Sequence, residues 1–145
     1  SDGQIVISGN NEDLEKLVKI LKDKSIKNLR LPVSAPFHSS LMDNATKIMI
    51  KELNEINFSK SNIKLISNVT AEEIYDEKNL KELLIKQIEN RVRWRESILN
   101  MMKNDINHFI EIGPGKVLSG LVKRINRNVK IDTINSQSDI ENLKI

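Results

Sequence analysis

The period of the apolar positions changes repeatedly along the chain. Gln4-Ile-Val-Ile-Ser8 is an unbroken β-branched run closed by Gly9, which predicts a strand. Asn10-Asn-Glu-Asp13 then supplies a cap and first-turn acids, and Leu14, Leu17, Val18 and Leu21 follow at helical spacing, predicting a helix over 11–23. Leu29, Leu31 and Val33 alternate with other residues as a strand does, so 4–33 reads as a β-α-β unit. Leu41, Ala45, Ile48, Met49, Leu53 and Ile56 share one helical face, with Ser39 or Ser40 as the expected N-cap. Residues 63–69 read as a strand. Leu80, Leu83, Leu84 and Ile88 mark a helix that breaks near Asn90, and Trp94, Ile98, Met101 and Met102 mark the next. His108-Phe-Ile-Glu-Ile112 is a strand stopped by Gly113-Pro114-Gly115; a helix over about 116–127 and a short strand over 129–134 follow. The polar tail is expected to fray. This alternation predicts an α/β fold with a mostly parallel sheet. Two prolines, Pro32 and Pro36, stiffen residues 33–36 and place the domain seam there.

Composition narrows the functional classes. At 145 residues the chain is long enough for one core, and with aromatics at 3% that core has to be aliphatic. The net charge of +3 comes from interspersed acids and bases without a basic run, which argues against nucleic acid as a partner. There is no cysteine, which excludes disulfides, zinc thiolates and a cysteine nucleophile. With only two histidines, His38 and His108, no metal site is expected. No apolar run is long enough to span a membrane, and no signal peptide is visible. The sequence opens on Ser1 rather than Met, so a natural N-terminus, with any targeting segment, is expected to be missing.

The stretch "LPVSAPFHSSLM" (31–42) concentrates the candidate chemistry. Pro36 biases Ala35 toward an extended backbone, and Ser39-Ser40 opens a helix, so His38 falls on a loop at a helix N-terminus. Such loops are where open α/β sheets place their chemistry. The positive end of a helix disfavours imidazolium, which would keep His38 neutral and ready to accept a proton from a serine nucleophile. Ser34, Ser39 and Ser40 are nearby hydroxyls, yet no segment has the G-x-S-x-G elbow that exposes such a nucleophile. The residues themselves offer a base without its nucleophile.

"GQIVISG", "LPVSAPFHSSLM", "ISNVTAEEI", "QIENRVRWRESI" and "EIGPGKVLSGLVKRI" occur in the order and spacing of the malonyl-CoA:acyl carrier protein transacylases and of the acyltransferase domains of fatty acid and polyketide synthases. The resemblance covers nearly the whole chain and corresponds to the C-terminal half of that family. The GQG motif, the GHSLG elbow and the carboxylate-binding arginine of the N-terminal half are not in this sequence. The resemblance implies a β-α-β piece of a ferredoxin-like subdomain in residues 1–33 and the C-terminal part of an α/β-hydrolase-like core in 34–145. It implies malonyl transfer from coenzyme A to acyl carrier protein in fatty acid synthesis, by a Ser-His ping-pong mechanism. No cofactor is implied beyond the substrates, since the phosphopantetheine is carried by the partner. The compartment implied is bacterial cytoplasm or a plastid-type organelle, with no membrane partner.

The resemblance also assigns roles. His38 matches the catalytic histidine as general base. Gln87 matches the residue whose backbone carbonyl orients that histidine, the part aspartate plays in a standard triad. Phe37 matches a position before the histidine that is often phenylalanine in malonyl-selective members; it reads either as a ring crowding an α-methyl group or as a core aromatic. Asn68 reads as a residue of the active-site rim or as a turn cap. Gly113-Pro114-Gly115-Lys116 fails the Walker spacing and reads as a tight turn, with Lys116 facing a phosphate as the alternative. Arg91, Arg93, Arg95, Lys123 and Arg124 read as solvated charges or as an attraction for an acidic carrier protein. As given, the chain is expected to be inactive alone. The alternative is a non-catalytic fragment or degenerate paralogue that binds the carrier protein.

Overall fold

The computed structural model describes residues 3–143 and is α/β. It has two compact units, residues 6–92 and residues 93–143 with 3–5. The seam placed at residues 33–36 falls inside the first of them.

In the 6–92 unit, α1 (Asn11–Asp23) starts where its cap signals place it. The Asn10 side chain accepts from the Asp13 N–H at 2.9 Å, filling one of the amides that a helix start leaves open. The helix ends in a Schellman turn: Ser25, at φ 55°, and Ile26 donate back to the carbonyls of Lys22 and Leu21. The strands expected on either side do not form. Residues 4–8 and 29–33 join no ladder among the described residues. Ile5, Val6, Ile7, Leu29 and Val33 stand 56–86% exposed. A strand exists only through a neighbour that takes its N–H and C=O groups, and here the 29–33 segment is instead tied to α1 by Arg30, which donates to the Asn11 side chain at 2.6 Å.

Further along, a 3-10 turn (Ser40–Met42) leads into α2 (Asp43–Asn54), and the turn packs against both α2 and α3 (Glu77–Glu89). Leu53 of α2 and Leu83 of α3 are buried. The expected serine N-cap is not made: Ser39 flanks the turn but its hydroxyl donates to the Pro36 carbonyl at 2.7 Å, and Met42 is the residue before α2. The strand expected at 63–69 is reduced to one antiparallel bridge between Ile66 and Glu73. The chain reverses at once through a turn in which Ala71 takes φ 63° and its N–H donates to the Ser67 carbonyl, which leaves no length for a ladder.

The other unit closes its own sheet. α4 (Trp94–Lys103) ends in a second Schellman turn at Asp105, φ 64°. Next come β1 (His108–Ile112), α5 (Val117–Ile125) and β2 (Lys130–Ile134), with β1 and β2 parallel in the register His108↔Lys130 to Ile112↔Ile134. The sheet expected from the sequence is therefore parallel, with two strands among the described residues. Ile98 of α4 and Val122 of α5, 1% and 3% exposed, form the aliphatic core. The polar tail is ordered into α6 (Gln137–Asn142) by a capping box in which Ser136 and Asp139 satisfy each other's backbone amides. No helix among the described residues is long and apolar enough to cross a membrane.

Candidate active site

His38 is exposed, on the loop between Pro36 and the 3-10 turn. Its backbone lies in the left-handed region at φ 61°, uncommon for a residue with a side chain and costly by about 1–2 kcal/mol. What holds it there is the end of α3. The His38 N–H donates to the Ile88 carbonyl at 3.2 Å, and ring Nδ1 lies 2.9 Å from the Gln87 carbonyl. A carbonyl oxygen can only accept, so Nδ1 carries the proton and Nε2 of the neutral ring is the basic nitrogen. Among the described residues Nε2 makes no hydrogen bond.

Those two carbonyls are open because of where α3 stops. The last turn of a helix leaves its carbonyls without intrahelical donors. Asn90, extended at φ −93° and ψ 155°, ends the helical ladder at Lys86, whose carbonyl takes the Asn90 N–H at 3.0 Å and its side-chain amide at 2.7 Å. The carbonyls of Gln87 and Ile88 are the next along the chain. Sequence reasoning located the break near Asn90 but not the second tie, through Ile88. The helix end that the ring meets is thus a C-terminus, with its partial negative charge, rather than only the N-terminus anticipated from Ser39-Ser40.

Phe37 is 51% exposed beside His38. Asn68 occupies the turn after Ser67, and with Gln87, Leu83 and Leu84 it lines a cleft of about 190 Å³. The structure brings the His38 ring to the Gln87 carbonyl and Asn68 into a cleft that Gln87 also lines; His38 is not part of that lining.

The other candidates do not join them. The N-terminus of α5, the place where Lys116 would face a phosphate, already holds an anion of the chain's own. The Glu111 carboxylate accepts from the Leu118 and Ser119 N–H groups at 3.1 and 2.7 Å. Ser119 first, and then the neighbouring backbone amides, hold the Glu111 carboxyl below its ordinary value. Gly113 and Gly115 sit at φ 132° and 96°, and Gly115 N–H donates to the Asn135 side chain, so the segment is a tight turn. His108 is held by Asp132 across the sheet, Nε2 to carboxylate 2.7 Å, with Lys130 at 3.7 Å from the same carboxylate. No group of three or more metal-ligating side chains occurs among the described residues. Arg124 donates to the Gln4 side chain at 2.8 Å, and Arg93 pairs with Glu96 at 3.4 Å.

An acyl transferase domain model matches residues 1–143. Over 140 residues the chain is 40% identical to the malonyl CoA-acyl carrier protein transacylase of Bacillus subtilis (strain 168), covering 96% of this chain and 44% of that protein. Its backbone is similar to the acyl-carrier-protein-S-malonyltransferase of Bartonella henselae, with a TM-score of 0.86 at 39% identity over 92% of this chain and 43% of that one. It is also similar, with a TM-score of 0.85 at 29% identity, to a chain in the complex of a type II PKS acyl-carrier protein with its malonyl-transacylase, over 92% of this chain and 43% of that one. The chain spans less than half the length of these relatives.

Proposed function

The chain belongs to the acyl transferase domain family, and from that premise we propose that it is part of an acyl-carrier-protein S-malonyltransferase, which moves malonyl from coenzyme A to acyl carrier protein in fatty acid synthesis. The observation that carries the proposal is the exposed His38 ring, fixed at Nδ1 by the Gln87 carbonyl and bare at Nε2.

On this reading a serine from the part of the protein beyond this chain gives its proton to Nε2 of His38 as its oxygen attacks the malonyl thioester. The carbon–sulfur bond breaks, and the imidazolium returns the proton to the departing coenzyme A thiolate. In the second half the phosphopantetheine thiol of the carrier protein gives its proton to the same nitrogen. The sulfur attacks the malonyl-serine ester, and the serine oxygen leaves with the proton. The Gln87 carbonyl keeps Nδ1 protonated through both halves, and the partial negative charge at the end of α3 steadies the cation formed in each.

Phe37 narrows the space beside the base against an α-methyl group. Asn68 forms part of the rim along which the pantetheine arm reaches the ring. Lys123 and Arg124 of α5 add positive charge for an acidic carrier protein. Residues 1–33 are assigned to a ferredoxin-like subdomain and 34–145 to a hydrolase-like core. The bare apolar side chains of Ile5, Val6, Ile7, Leu29 and Val33 fit strands whose neighbours are supplied by the rest of the protein. The bacterial sources of the relatives fit a cytoplasmic or plastid-type setting.

Two measurements test the reading. The 145-residue chain alone should form no covalent malonyl adduct by mass spectrometry, and a stable adduct on it would refute the assignment of the serine to another segment. In the full-length protein, His38→Ala should abolish most transfer while leaving far-UV circular dichroism unchanged; undiminished transfer removes His38 from the mechanism.

A further inference from the structure

We infer that Asn90 is a positioning residue for His38, a role that rests on His38 being the base proposed above. The argument is one of hydrogen-bond register. In a helix each amide takes the carbonyl four residues back. If α3 ran one residue further, the Arg91 amide would compete for the Gln87 carbonyl, which is the oxygen that orients the His38 ring. Asn90 prevents this in two ways. Its backbone is extended rather than helical, so the ladder stops at Lys86. Its side-chain amide doubles the bond to the Lys86 carbonyl, 2.7 Å beside the 3.0 Å of its own N–H, and so fastens the last turn at the residue just before Gln87.

The side chain suits the task. Asparagine forms local side-chain-to-backbone bonds and is a poor helix former, whereas alanine is the best. The same end also supplies Ile88, whose carbonyl holds the His38 N–H. One residue therefore sets the position of both groups that keep His38 at φ 61°. Asn90 does not need to touch substrate for this, and its effect should appear only through the ring.

The test uses the full-length protein. Asn90→Ala, which lets the helix run on, should lower kcat about tenfold while leaving the KM for malonyl-CoA unchanged, since misplacing a base affects turnover rather than binding. Asn90→Ser, a poorer helix former whose hydroxyl can still donate to the Lys86 carbonyl, should recover most of that loss. In a His38→Ala background Asn90→Ala should cost nothing more. The ring itself gives a readout independent of turnover: 15N NMR should show His38 fixed as the Nδ1–H tautomer in the parent and mixed in Asn90→Ala. An unchanged kcat, a loss that falls equally on KM, a loss that serine does not recover, or a fixed tautomer in Asn90→Ala would each overturn the inference. If His38→Ala alone leaves transfer intact, it is the base assignment that fails, and the tautomer measurement still decides whether Asn90 positions the ring.

Discussion

The two histidines sit in regions built to opposite ends. His108 lies in a strand, and its ring nitrogen is tied to the Asp132 carboxylate of the neighbouring strand, with Lys130 beside it. Position and partner both come from the sheet. His38 lies on a loop with a strained backbone and is exposed; it is held by two neutral carbonyls at a helix end, with its second ring nitrogen unbonded among the described residues. The first arrangement holds a ring still. The second holds a ring still and keeps it exposed. Each ring keeps one nitrogen without a hydrogen bond among the described residues; what sets His38, the proposed base, apart is its exposure and a carbonyl partner in place of a carboxylate.

The contrast can be broken or sharpened by substitution in the full-length protein. The largest expected effect is on His38→Ala, which should reduce malonyl transfer by about 10²–10⁴-fold, the usual worth of a positioned base, whereas His108→Ala should retain near-parental transfer. The reverse ranking in a thiol-release assay would invert the assignment. Next, Phe37→Ser should relax discrimination against methylmalonyl-CoA by about tenfold in relative kcat/KM, the scale of one methyl group in an apolar site; competition between the two thioesters measures it. Glu111→Gln should lower the Tm by a few degrees near neutral pH, because the carboxylate that neutralises the start of α5 is lost. As the carboxyl of Glu111 is held below its ordinary 4.5, its contribution is full above that value and fades as pH falls through the lower folded one. Melting curves of parent and variant should therefore converge in acid, and a constant gap would contradict the cap. Smallest is Asp132→Asn, which removes the partly exposed carboxylate that meets His108 and Lys130 and should cost about 0.5 kcal/mol in denaturant unfolding without touching transfer.

How much of this was legible is best seen in two stretches with the same written pattern. Residues 4–33 and 108–134 both read as strand, helix, strand. The second closes as read, with β1 and β2 paired directly across α5. The first yields only α1, and its apolar flanks stay bare. Periodicity tells which side chains call for cover, but a strand needs a backbone neighbour, and no local pattern names it. Helix starts were legible at Asn10 because the cap lies within three residues of its target. The box at Ser136 and Asp139 is equally local, but the polarity of the tail masks it. The Glu111 cap was hidden because the carboxylate comes from another element. At the site, the loop and the helix break were readable. The tie between His38 and Gln87 spans 49 positions and rested on family resemblance until the geometry supplied it.

The twist of the chain at position 38 also bears on how such a protein would decay. Glycine adopts that geometry freely and asparagine nearly so, so a lineage no longer selected for turnover would drift toward them, since either eases the loop. If His38 is the base proposed above, selection for turnover would hold an imidazole at a place the main chain would sooner yield, and a fragment that merely clasped the carrier would be free to lose it.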